Sequence, residues 1–180
     1  MKNYFLIHGS FGNSKEHYFP WLQEKLGKEN VICVDFPIGV NAQSFEAWSQ
    51  TLDKYKNQIT EDSIFIGRSI APIFIIKYLL KNNLKINTLY SISGFKKLTT
   101  GSEDYDTVNK TFFMENVCDF KNICKNIVCI ISKNDPYVPY STLEEFANEL
   151  DAQVHLIENG GHFNNESGYN TFEYLLNLVK

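Results

Sequence analysis

Six short apolar runs recur along this 180-residue chain, and their internal pattern restricts the fold more than any other feature. They fall near 3–8, 31–36, 63–67, 87–92, 127–132 and 153–157, and nearly all are continuous Val, Ile, Leu and Phe stretches rather than alternations. A strand with one wet face alternates apolar with polar residues, whereas a strand covered on both faces is apolar throughout, as in a parallel sheet. Helical patterns separate the runs at about 15–26, 42–58, 70–81, 141–150 and 169–179. Pro72 falls in the first turn of its helix, where a missing amide hydrogen costs little. This rhythm predicts a doubly wound α/β fold: a mostly parallel, six-stranded sheet with helices on both faces. No repeat, linker or low-complexity segment interrupts it, so 1–180 reads as a single domain. The exception is 93–126, where a polar stretch leads into Thr111-Phe112-Phe113-Met114 and a short helical segment over 118–125. A connection of that length is uncommon and predicts a flexible cover over a site.

Composition narrows the partner. The chain is 43% hydrophobic and 21% charged, with a net charge of -4. An acidic balance lacks the basic face expected for nucleic acid or an anionic membrane, so a small molecule is the expected partner, with a protein partner not indicated. The apolar run Tyr4-Phe5-Leu6-Ile7 is too brief for a signal-peptide core, and the longest apolar stretch, 70–80, is broken by Lys77. Cys33 and Cys129 sit inside apolar runs, and Cys118 and Cys124 show no zinc-type spacing. Reduced thiols, a cytoplasmic location, no metal and no cofactor are expected.

The chemistry concentrates after the third apolar run. Ser63-Ile64-Phe65-Ile66-Gly67-Arg68-Ser69-Ile70-Ala71 passes from a strand pattern through Gly-x-Ser-x-small into a helix, the order of a nucleophile elbow. A serine in such a turn projects its hydroxyl from the sheet edge at the positive end of the helix dipole. Small flanking residues let strand and helix approach. Taken alone, the pentapeptide is more often an ordinary strand-to-helix turn with a capping serine.

Residues after the other strands change that balance, because ligands of open α/β sheets bind beyond the strands' carboxyl ends. His8-Gly9-Ser10-Phe11-Gly12-Asn13 follows the first run, Lys133-Asn134-Asp135-Pro136 the fifth, and Gly160-Gly161-His162-Phe163 the sixth. Ser69, Asp135 and His162 thus occur in chain order at one end of the sheet. A serine hydroxyl needs an imidazole to accept its proton, and a carboxylate holds that imidazole in the useful tautomer. This requires Ser69 to reach the ring of His162. Two backbone N–H groups must also face the developing oxyanion. Ile70 is one candidate, with Ser10, then Phe11, for the other.

These pieces, with His17, Pro20-Trp21-Leu22, Asp35-Phe36-Pro37, Trp48 and Asn134-Asp135-Pro136-Tyr137-Val138-Pro139, make the chain resemble the α/β-hydrolase superfamily. Within it, the likeness is to the small lidless branch of serine hydrolases that includes an animal retinoblastoma-binding protein and bacterial relatives. The resemblance spans nearly the whole chain and implies hydrolysis of small carboxylic esters by Ser69, Asp135 and His162. Two departures stand out. Ala71 replaces the second elbow glycine, and Arg68 occupies a position commonly histidine, where it either places a cation near the site or pairs with a surface carboxylate.

Competing assignments are structural. Asn-Asp-Pro is a turn signal by itself. His8 and His155 belong to strands, His17 fits a pocket wall, and Asp151 and Glu158 follow no strand as cleanly as Asp135. Phe11, Phe95, Phe112, Phe113, Tyr137 and Phe163 are the candidates for an acyl pocket, although core packing is the commoner role for such residues. The expected function is a cofactor-independent serine hydrolase, a carboxylesterase on small or medium acyl esters. The alternatives are an acyltransferase or thioesterase, and a catalytically weak or silent protein-binding module.

Overall fold

The computed structural model describes residues 3–97 and 103–180. Its six strands, β1 (Tyr4–Ile7), β2 (Val31–Val34), β3 (Ile64–Arg68), β4 (Ile86–Ile92), β5 (Cys124–Ser132) and β6 (Gln153–Ile157), form one sheet in the order β2-β1-β3-β4-β5-β6. Every neighbouring pair is parallel. The helices are α1 (Phe19–Leu26), α2 (Phe45–Asp53), α3 (Ala71–Asn82), α4 (Glu103–Asn109), α5 (Tyr140–Glu149) and α6 (Glu173–Val179).

The apolar runs divide by parity between two layers. Phe5, Ile7, Phe65, Leu89, Cys129 and Ile131 face one layer with α2, α3 and α5, through Trp48, Leu52, Phe74, Leu143 and Phe146. Tyr4, Leu6, Ile64, Ile66, Tyr90, Val128 and Ile130 face the other with α1 and α6, through Phe19, Leu22, Leu175 and Leu176. Both faces are covered, which is why the central strands carry no polar alternation. β6 lies at the edge, and its Val154 and Leu156 are exposed.

Several boundaries differ from the sequence expectation for identifiable reasons. α1 starts at Phe19 instead of 15 because His17 has φ +56, outside the helical region. α2 starts at Phe45, where the Ser44 side chain caps the helix by accepting from the Ala47 N–H at 3.2 Å. The segment 118–125 divides into a 3-10 turn at Cys118–Asn122 and the start of β5, drawn into the sheet by the pairing of Cys124 with Ile86. α4 lies in the polar stretch of 93–126 and has no apolar stripe to betray it; three acids occupy its first turn. Residues 98–102 of that stretch lie outside the described residues.

Position follows from the strand order. The chain leaves β1 toward β2 on one side and continues at β3 on the other, so the β1–β3 boundary is the switch point where loops part and a crevice opens. The loops after β1 and β3 flank it.

Candidate active site

The turn between β3 and α3 holds Ser69 at φ +62, a left-handed backbone uncommon for a residue with a side chain. Its N–H donates to the Ile92 carbonyl at 2.9 Å, tying the turn to the end of β4. The turn is tight enough to dictate its neighbours. A Cβ on Gly67 would sit 2.8 Å from Ile75 Cδ1 and 3.1 Å from Pro72 N. A Cβ on Gly9 would sit 2.9 Å from Ser69 Cβ, so the loop after β1 reaches the serine only without a side chain there. Ala71 is fully buried at the start of α3, and its methyl fits where strand and helix meet.

His162 and Asp135 meet across the loops after β6 and β5. His162 Nδ1 lies 2.8 Å from Asp135 Oδ2. A carboxylate only accepts, so Nδ1 carries the proton and Nε2 keeps its lone pair. Asp135 is thoroughly satisfied: Ser93 Oγ also donates to Oδ2 at 2.9 Å, and the Tyr137 and Val138 N–H groups donate to Oδ1 at 2.9 and 3.0 Å. Burial pushes the Asp135 carboxyl up, but the His162 hydrogen bond and charge and those two amides outweigh it and leave its pKa below the usual 3.8. Burial pulls His162 below its usual 6.5, only partly opposed by the hydrogen bond to Asp135 and reinforced by the charge of Arg68. The imidazole is therefore neutral at pH 7.

Ser69 and His162 line one cleft of about 210 Å³ together with Ser10, Phe11, Phe95 and Tyr137. Among the described residues no hydrogen bond joins Ser69 Oγ to His162, although both line the same cleft. Such bonds are often long before substrate binds. Of the oxyanion candidates, the Phe11 N–H donates to Gln43 Oε1 at 3.2 Å, which leaves Ser10 and Ile70, whose N–H groups meet no described acceptor.

The aromatic candidates separate. Phe11, Phe95 and Tyr137 reach the cleft. Phe112 and Phe163 do not: both are fully buried, Phe112 against Trp48 with ring centroids 4.8 Å apart and Phe163 against Phe172 at 5.4 Å. Phe113 instead lines a neighbouring groove with Lys96, Lys97 and Met114. The rival bases are engaged elsewhere. His8 Nε2 accepts from the Phe36 N–H at 3.0 Å, and His155 Nδ1 lies 2.6 Å from the Tyr174 hydroxyl. Glu158 pairs with Lys133 at 2.8 Å and Asp151 is exposed. Sequence reasoning missed Tyr105 and Asn109 of α4 and Glu16, Asn164 and Glu166 in the cleft wall, since nothing in their spacing sets them apart.

Arg68 also lines the cleft, and only 6% of it is exposed. Burial lowers its pKa, opposed in part by Tyr18, Glu16, Tyr105 and Asp135. Its Nη2 lies 2.9 Å from His17 Nε2, while its Nε is sealed from solvent without a partner. His17 Nδ1 accepts from the Asn165 N–H at 3.1 Å. Burial and then the Arg68 charge pull the His17 pKa down to about 4.

Fold and cleft together define an α/β-hydrolase. The chain belongs to the serine hydrolase family, whose model matches residues 4–180. It is 25% identical over 185 residues to the YdeN protein of Bacillus subtilis (strain 168), covering 99% of this chain and 94% of that one. The crystal structure of the ydeN gene product from B. subtilis superposes with a TM-score of 0.85 at 23% identity, over 99% of this chain and 97% of the other. Est1E from Butyrivibrio proteoclasticus with bound ferulic acid gives a TM-score of 0.67 at 15% identity, over 100% and 90%. These two likenesses speak to the fold. No described helix is long and apolar enough to cross a membrane.

Proposed function

We propose that this hydrolase is a carboxylesterase acting through an acyl-serine intermediate, with Ser69 as nucleophile, His162 as general base and Asp135 as the group that orients it. The observation carrying this reading is the 2.8 Å His162–Asp135 hydrogen bond, with His162 lining a cleft that the left-handed Ser69 also lines. Ser69 Oγ attacks the ester carbonyl carbon as its proton passes to His162 Nε2, and the carbonyl electron pair moves to oxygen. The Ile70 and Ser10 N–H groups hold that oxyanion. Collapse expels the alcohol, which takes the proton back from His162, and water repeats the cycle to free the acid. A neutral imidazole below its ordinary pKa suits the first step.

Phe11, Phe95 and Tyr137 form the apolar wall for a small or medium acyl group. The chain works as one hydrolase unit, with α4 as part of a small cover that brings Tyr105 and Asn109 to the cleft. The four cysteines are all free thiols, which fits a reducing, cytoplasmic setting. Intact-mass measurement after treatment with an active-site-directed phosphonate tests the assignment. One adduct on the wild type and none on Ser69→Ala is expected. An unlabelled wild type that turns over no ester leaves only a binding scaffold.

A further inference from the structure

We propose that Arg68 and His17 form a carboxylate subsite beside Ser69, so that the preferred ester carries a second, ionised carboxyl group close to its scissile carbonyl. This substrate class rests on the esterase reading above. A guanidinium has five N–H donors. Buried Arg68 makes one polar side-chain contact, to His17 Nε2, and its Nε has none. No carboxylate approaches within 4.0 Å of it among the described residues. A buried charge without a counter-ion is disfavoured.

The contact with His17 deepens the imbalance. His17 is neutral near pH 7 and its Nδ1 accepts from Asn165, so its proton sits on Nε2. Two donors then face each other at 2.9 Å with no acceptor between them. A carboxylate accepting from both resolves the conflict, and guanidinium binds carboxylates in forked geometry.

Neighbouring acids leave this place open. One oxygen of Glu16 accepts from Asn13 Nδ2 at 2.6 Å and the other stays 3.6 Å from His17 Nε2, while Glu166 accepts from the Tyr137 hydroxyl at 2.8 Å. Their negative charges at the cleft favour a single carboxylate over a multiply charged phosphate. The ligand is located by Gly9: the point where its Cβ would lie is 2.9 Å from Ser69 Cβ and 3.5 Å from Arg68 Nη2. Guanidinium and nucleophile flank the same glycine, so a chain of a few carbons joins the two carboxyl groups, as in a succinate or glutarate monoester.

The test compares kcat/KM for p-nitrophenyl hemisuccinate and hemiglutarate with that for the butyrate and valerate esters. The wild type should favour the charged ester at least about 10-fold, and Arg68→Gln should reduce this ratio by about 10–100-fold, with Arg68→Lys retaining part of it. Using a ratio cancels any general loss in the variants. A wild type that favours the neutral ester, or treats the two alike, overturns the proposal even if Arg68→Gln does not fold. If neither ester turns over, the esterase reading fails and binding decides the subsite. Saturable binding of methyl hemisuccinate to Ser69→Ala, followed by NMR and lost on adding Arg68→Gln, upholds it; no saturable binding removes it.

Discussion

Two buried charges, Arg68 in the wall of the cleft and Asp135 behind His162, are treated in opposite ways. Asp135 accepts four hydrogen bonds, from Ser93, His162, Tyr137 and Val138, and its side chain is 0% exposed. Arg68, at the end of the strand before Ser69, meets one neutral imidazole and keeps its Nε without a partner. The fold supplies everything the anion needs and little of what the cation needs. A saturated charge is fixed in place, and here it bonds His162 at 2.8 Å. An unsaturated one carries a cost in the free protein that an incoming anion can remove.

The largest expected effect lies on Ser69, the proposed nucleophile. Ser69→Ala should lower ester kcat by about 10⁶-fold, read by steady-state kinetics on folded protein. Asp135→Asn should lower kcat by about 10⁴-fold, because an amide no longer enforces the His162 tautomer with its lone pair on Nε2. It should also reduce stability by about 3 kcal/mol in chemical denaturation, since one partner leaves a saturated buried network. Arg68→Met should act in the opposite direction and stabilise by about 1 kcal/mol, because it removes a buried charge that lacks a counter-ion. A comparable loss of stability in both variants would break the contrast.

The smallest effect is in pH dependence. With His162 as the proposed base, activity needs its neutral form; burial lowers its pKa from 6.5, so the acid limb of kcat/KM should have its midpoint below pH 6.5. Arg68 contributes to that lowering, and Arg68→Gln should move the limb to higher pH. Stability carries the same sign. A depressed folded-state pKa gives a contribution present above 6.5 and lost as pH falls from there through the folded value, which a pH series of unfolding midpoints would reveal.

Legibility in the sequence followed locality. The tight turn after β3 was readable because Gly67, Ser69 and Ala71 fall within one short stretch of chain, and the close contacts that require small residues arise within that turn. Asp135 and His162 were readable as residues just past strand ends, the common edge of a doubly wound sheet. The aromatic wall was readable only in part: Phe11, Phe95 and Tyr137 reach the cleft, whereas Phe112 and Phe163 fill the core, and a phenylalanine has the same hydropathy in either place. α4 stayed hidden because a short polar helix without an apolar stripe leaves no periodic signal.

By itself the sequence determined the α/β layering, the strand–helix rhythm and the places of Ser69, Asp135 and His162 beyond strand ends, since these depend on residue type and spacing along the chain. The tertiary structure alone decided that Ser93 completes the shell of Asp135, and that His17 turns its ring toward Arg68. Those are meetings between residues tens of positions apart. Whether a buried charge is satisfied depends on which groups the packed sheet and its loops bring within about 3 Å of it, a distance that spacing along the chain does not encode.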